Sequence, residues 1–488
     1  MARTQVRRVA ILTIGHPLPR MVLNTATLKL KPGEKRILTV DHPLPRTVPS
    51  SATTLKRQIG FRTAVALIVG EVIAVGIFLT PSGMAKSLGS PFWLLVVWLV
   101  MGGMALCGAL CYGELASRFP EAGGGYVYLR EAYGRPMAFL YGWMALLVMD
   151  PGLTAALAVG LASYAGYMFG LTASALKTVA IASIVFVALV NIRGVKFGGG
   201  LVSLLTILKL GLLLVLIAWS FGTQTGNWSN FQPFFDQRAG SEPLIGALAG
   251  GLVGAFFSFG GWWDLSKLAG EVCEPQQTLP RALLAGVTIL TLVYILTSAA
   301  FVYLIPLERV TSGEIFVALA GEAMFGRAGG NVLSAIVIIA VFGSLAAVVM
   351  SAPRVYFAMA RDGLFIPAAA AVHPRFGTPA RAILIQATLA SVLVLLGSFD
   401  TIISYFIFVV VIFIGLTVAT LFVFRRREPK NGDVALARAY PLPPAVFLFL
   451  TALILVLIGA RRPREAILGV VVVLLGLPVY YFVLREKR

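Results

Sequence analysis

Charge is scarce in this 488-residue chain: only 12% of it is Asp, Glu, Lys or Arg, against 58% hydrophobic. A soluble domain cannot hide so much apolar surface, so the composition excludes one and points to a polytopic membrane protein. Acid is scarcer than base, 21 residues against 40, which leaves a net charge of +19. The basic residues stand in short loops and tails beside apolar segments. That is the positive-inside pattern, so no nucleic-acid partner is expected. Three cysteines, Cys107, Cys111 and Cys273, make no disulfide or metal framework. The first two lie one helical turn apart in apolar sequence and read as small packing residues. Neither a Walker loop nor an HExxH motif occurs, so enzyme chemistry, a cofactor and a metal are not expected. The N-terminal stretch lacks the long apolar segment of a cleavable signal.

What is present is a series of twelve apolar segments of about 20 residues each, the length of a membrane-spanning helix. They fall at about 60–88, 91–115, 136–168, 174–191, 197–221, 244–271, 282–305, 331–357, 380–398, 401–424, 441–460 and 465–484. Residues 1–55 stand apart. They are basic and echo themselves in RVAILTIGHPLPR and KRILTVDHPLPR, and they read as a flexible cytoplasmic tail or an over-long start of the reading frame. A core follows over 56–426, and 427–488 adds two accessory spans. An external helix is expected within PLERVTSGEIFVALAGEAMFGRAGG. An even number of spans puts both termini on one side. Lys56, Arg57 and Arg62, Arg425 to Arg427, and Arg485, Lys487 and Arg488 put that side in the cytoplasm of a plasma (inner) membrane. Arg461, Arg462 and Arg464 run against this in the last hairpin.

Two spans do not read as single helices. In GEVIAVGIFLTP, Gly70 and Gly76 bracket β-branched Val72, Ile73 and Val75, and such residues hold a helix weakly. Unwound backbone inside a bilayer survives only where protein or a watery cavity meets its N–H and C=O groups. Freed N–H groups at a half-helix start suit a carboxylate, and freed carbonyls suit an ammonium. The alternative is a glycine-kinked packing helix. FFSFGGWWD, at Phe256–Asp264 in the sixth span, is the second such place, and a pair of interrupted spans in corresponding positions marks a transporter of inverted repeats.

Three charged residues lie deep in apolar sequence. Lys209 in the fifth span must pair inside the bundle or snorkel to an interface. Glu71 and Asp150 are candidate proton carriers or partners for a basic group on a substrate, or else structurally paired acids. Glu114 and Asp264, near span ends, read as solvated. Trp262 and Trp263 are candidate gate residues, or else interface markers, and Phe259 is the stronger gate candidate because it adjoins the paired glycines.

GEVIAVGIFLTP resembles the broken first helix of the amino acid–polyamine–organocation superfamily. GELASRFPEAGGGYVYLREAYG is similar to the signature after its second helix, FSFGGWWDLSKLAGEVCEPQQTLPRA to its sixth, and PRVYFAMARDGLFIP to the end of its eighth. The bacterial L-type amino acid transporters are the most similar branch, over about residues 56–426. The resemblance implies an all-α, leucine-transporter-type core of ten helices in two inverted halves plus two accessory helices. It implies that backbone N–H groups of Ala74, Val75 and Gly76 meet an amino acid's carboxylate. Carbonyls of Ile73, Phe257, Ser258 and Phe259 would meet its ammonium, with Gly260 and Gly261 free to unwind. Lys209 matches the place where sodium-independent members put an ammonium in place of the ion. Two departures matter. Ala74-Val75-Gly76 replaces the usual Gly-Ser-Gly, which removes a hydroxyl. The cysteine of heavy-chain-linked members is missing between Gly166 and Lys177, so no disulfide-linked partner is expected. The implied function is sodium-independent exchange or proton-linked transport of neutral L-amino acids. The alternatives are a polyamine, amine or cationic amino acid antiporter, and a non-transporting amino acid sensor.

Overall fold

Lipid offers no partner to a backbone N–H or C=O, so each crossing must close its own hydrogen bonds as helix. The computed structural model describes residues 55–224, 226–307, 321, 326–396, 399–427, 439–461 and 463–484. There, nine helices are long and apolar enough to cross a membrane: Pro91–Arg118, Arg135–Phe169, Ala173–Ile192, Val195–Gly222, Leu244–Glu271, Pro275–Leu304, Gly329–Arg361, Ile407–Arg427 and Leu442–Ala460. Shorter apolar helices at Ala380–Leu396 and Ala466–Phe482, with a first span split into Phe61–Val72 and Val75–Leu88, bring the series to the expected twelve. We number these spans 1 to 12 in chain order. The N-terminal tail, the expected external helix, the basic loop after span 10, and Arg462, Arg485, Lys487 and Arg488 lie outside the described residues.

Sequence chemistry explains the local departures from regular helix. Span 2 starts on Pro91, with the Ser90 hydroxyl accepting from the Trp93 N–H at 3.4 Å, a common helix start. Pro151 in span 3 has no N–H to give to the preceding turn. The helix absorbs this in a π turn at Ala145–Met149, immediately before Asp150.

Span 1 is the hub. Its first half packs on spans 5, 7 and 8, and its second half packs on the first part of span 6, Leu244–Phe259. Span 5 shows how sequence aims one residue at that hub. Val202, Thr206, Lys209, Leu213 and Leu216 recur at helical spacing and are buried, whereas Leu204, Ile207, Leu208, Leu214 and Val215 on its other side are exposed. Lys209 thus lies in the middle of the buried stripe and does not snorkel.

The two acids expected to be solvated are buried instead. Glu114 is 1% exposed and binds Arg118 one turn on at 2.9 Å and Arg425 of span 10 at 2.7 Å. Asp264 is 2% exposed, because span 6 continues past it to Glu271.

Candidate functional site

The first break falls at Ile73 and Ala74, between the glycines and not on them. Gly70 and Gly76 are themselves helical. They serve close approach: a Cβ on Gly70 would stand 2.4 Å from Thr206 Oγ1, and one on Gly76 would stand 2.6 Å from Ser258 Cα. The break frees carbonyls that the protein then satisfies. Lys209 Nζ, fully buried, donates to the carbonyls of Gly70 and Ile73, the latter at 2.7 Å. Ala340 O and Ser344 Oγ, each at 3.1 Å, complete its surroundings. The Ser344 hydroxyl also reaches Gly70 O at 2.7 Å. On the other side of the break, Val75–Leu88 begins without a side-chain cap, so its first N–H groups have no partner within the helix.

The second break follows Phe259. Helix Leu244–Phe259 ends at Gly260, and the chain resumes as a 3-10 helix at Trp262–Glu271. Gly261 joins them at φ +112°, a conformation that side chains rarely permit. The two breaks share one hydroxyl. Tyr294 OH lies 2.8 Å from Val72 O and 2.8 Å from Ser258 O, with one proton for the two. The Thr80 and Ser258 hydroxyls meet at 2.7 Å across the same seam.

A cavity opens between the breaks. It measures about 50 Å³. Glu71, Ala74, Gly76, Asp150, Phe257, Ser258 and Gly260 all line it, so most of the residues expected from sequence meet there. Val75 opens the resumed helix beside them.

Four expected residues stand elsewhere. Lys209 lies behind the break. Ile73 is fully buried, and its carbonyl faces Lys209 instead of the cavity. Phe259 packs between Trp98 and Tyr294, with ring centres 6.2 and 5.0 Å away. Trp262 packs on Tyr112 at 5.2 Å. The aromatic wall is made by Phe256, Phe257 and Trp263. Phe256 and Phe257 reach the cavity from the last turn of Leu244–Phe259, while the Phe259 ring is held between Trp98 and Tyr294. The turn at Gly261 then brings Trp263, not Trp262, round to the cavity.

Sequence reading missed an ionic network at the cavity wall. Lys267 Nζ donates to Asp150 Oδ1 at 2.9 Å and to Asp264 Oδ2 at 2.8 Å. Tyr356 OH donates to Asp150 Oδ2 at 3.1 Å, and Ser351 Oγ to Asp264 Oδ2 at 3.3 Å. Asp264 and Lys267 are three residues apart, a spacing that places them on one helix face and could have signalled the pair. Beyond the network, one end of the bundle is tied shut. Arg354 binds Glu271 at 2.7 Å with both buried. Gln58 N–H donates to Glu271 O at 2.8 Å, and Cys273 N–H to Ile59 O at 2.9 Å.

Comparison with known proteins gives a consistent result. A family model described as amino acid permease matches residues 59–482. The serine/threonine exchanger SteT of Bacillus subtilis is 32% identical over 438 residues, covering 89% of this chain and 98% of the relative. Asc-type amino acid transporter 1 of Mus musculus is 29% identical over 447 residues, with 88% and 81% covered. The cystine/glutamate transporter of Homo sapiens is 28% identical over 443 residues, with 89% and 87% covered.

Proposed function

The chain belongs to the amino acid permease family, and we propose that it carries small neutral L-amino acids across the plasma membrane by alternating access, without sodium. The observation that supports this most is one cavity bounded by both helix breaks. N–H groups at the start of Val75–Leu88 hold the substrate carboxylate, as a helix start favours an anion. Carbonyls ending Leu244–Phe259, that of Phe256 among them, take the ammonium. Ser258 O is occupied by Tyr294 and Ile73 O by Lys209, which leaves the ammonium fewer carbonyls than the family resemblance implied.

Lys209 takes the place of a coupling ion by fixing the carbonyls that a cation would otherwise bind. The cavity's size and its walls of Phe256, Phe257, Leu153 and Trp263 suit a short, uncharged side chain, in keeping with a relative named a serine/threonine exchanger. Of the three gate candidates, Trp263 is the one that faces the cavity, and it takes the gate role. The ends at Arg57 and Arg425 face the cytoplasm. No disulfide-linked subunit is needed, since Gly166 to Lys177 contains no cysteine.

The acids at the wall favour a second reading, transport of amines or cationic amino acids. Lys267 already occupies Asp150 and Asp264, which weighs against it. Thermal stability of the purified protein tests the choice, because a ligand that binds only the folded state raises its melting temperature. L-Serine and L-alanine should raise it, and putrescine should not. Stabilisation by putrescine alone would favour the second reading.

A further inference from the structure

Glu71 is 5% exposed, lines the cavity, and has no basic partner within hydrogen-bond distance among the described residues. It lies against Gly261, three residues before Asp264, and the two acids line the same cavity. No described residue donates to Glu71 Oε1 or Asp264 Oδ1. Lys267 points its hydrogen bonds elsewhere, at Asp150 and at the other oxygen of Asp264, and reaches neither of these two oxygens. Two buried carboxylates that meet without a donor between them repel, and a single proton placed between them removes the repulsion.

We propose that the Glu71–Asp264 carboxyl pair holds one proton at the cavity wall and that this proton crosses the membrane together with the amino acid. The proposal deepens the reading of this cavity as an amino acid site and rests on it. The charges around the pair argue for a single proton. Around Glu71 stand Asp264 and Lys267 from the second half of span 6, Asp150 from span 3 and Lys209 from span 5. Tyr294 of span 7, Tyr356 of span 8 and Tyr141 of span 3 are uncharged, and span 8 also brings the hydroxyls of Ser344 and Ser351. With one shared proton the two lysines balance the three acids, and the buried set has no net charge. Without it, one negative charge is left over. A zwitterion adds none. Closing a dry site around an unbalanced charge is costly, so the carrier that closes readily is the one loaded with both proton and amino acid.

Three readouts test this. Infrared spectra of the purified wild type at neutral pH should show a protonated-carboxyl C=O stretch, lost in Glu71→Gln because the pair that shares the proton is then broken. In proteoliposomes holding a pH-sensitive dye, external L-serine should acidify the lumen by about one proton per serine, with counterflow of labelled serine at equal pH measured in parallel. Glu71→Gln and Asp264→Asn should each lower the proton-to-serine ratio at least tenfold at whatever transport rate they retain. A wild type without the band, or either variant transporting serine at the wild-type ratio, overturns the proposal. If both variants transport nothing, the infrared comparison decides alone. Counterflow without acidification overturns the proton and leaves amino acid transport standing. A band without transport of any amino acid overturns the transport reading.

Discussion

Lys209 Nζ lies 2.7 Å from the carbonyl oxygen of Ile73, the residue at which span 1 leaves its helix. Span 5 thereby supplies the charge that holds the broken backbone of span 1. Lys209→Ala removes donors from Gly70 O and Ile73 O, and Ser344 can replace only one. Each buried carbonyl that finds no water costs about 1–3 kcal/mol. Weakened transport with retained folding is expected, measured as initial uptake rate against melting temperature. A Lys209→Ala protein that transports like the parent contradicts this role.

Tyr294→Phe deletes one hydroxyl and changes little else. Val72 O and Ser258 O lose the one proton they share, at about 1–3 kcal/mol if the carbonyl that held it stays dry. Because that hydroxyl bridges the two breaks, substrate affinity should fall along with the melting temperature. Loss of stability with unchanged affinity would make the bridge structural only.

Gly76→Val should abolish transport, since its Cβ alone would sit 2.6 Å from the backbone of Ser258. Gly83→Ala in the same helix is the control. Its Cβ meets nothing within 4 Å, and alanine favours helix by up to about 1 kcal/mol. Gly260→Val should fold and lose transport, because its side chain would enter the cavity. Normal transport by Gly260→Val would remove the site from this place.

Arg354→Met should be the most destabilising of these changes. It strands buried Glu271, and breaking a buried ion pair from one side costs about 3–5 kcal/mol. The same change loosens the ties between Gln58, Ile59 and the end of span 6, so amide hydrogen exchange at Gln58, Ile59 and Cys273 should speed up. Unchanged stability would show that water already reaches this pair.

Much of this was legible in the sequence because it depends on neighbours along the chain. Apolar length gave the twelve spans. Gly70, Gly76 and the β-branched residues between them gave the first break to within three residues, though the glycines turn out to serve contact with Thr206 and Ser258. Lys209 stood out because a lysine in hydrocarbon must have a partner. The rest depends on contacts across the bundle. Asp264 lay near an expected span end, and nothing local showed that Gly261 turns it inward toward Lys267 and Asp150. Phe259 and Trp262 adjoin the glycines in sequence, but the turn between them decides which rings face the cavity, and it selects Phe256, Phe257 and Trp263.

Uptake of labelled L-serine and labelled putrescine by purified protein in proteoliposomes, in matched sodium and choline buffers, tests the central claim most directly. The account predicts that serine accumulates equally in both buffers, that unlabelled neutral L-amino acids compete with it, and that putrescine is ignored. Uptake of putrescine without serine, or serine uptake that rises with sodium, would contradict it.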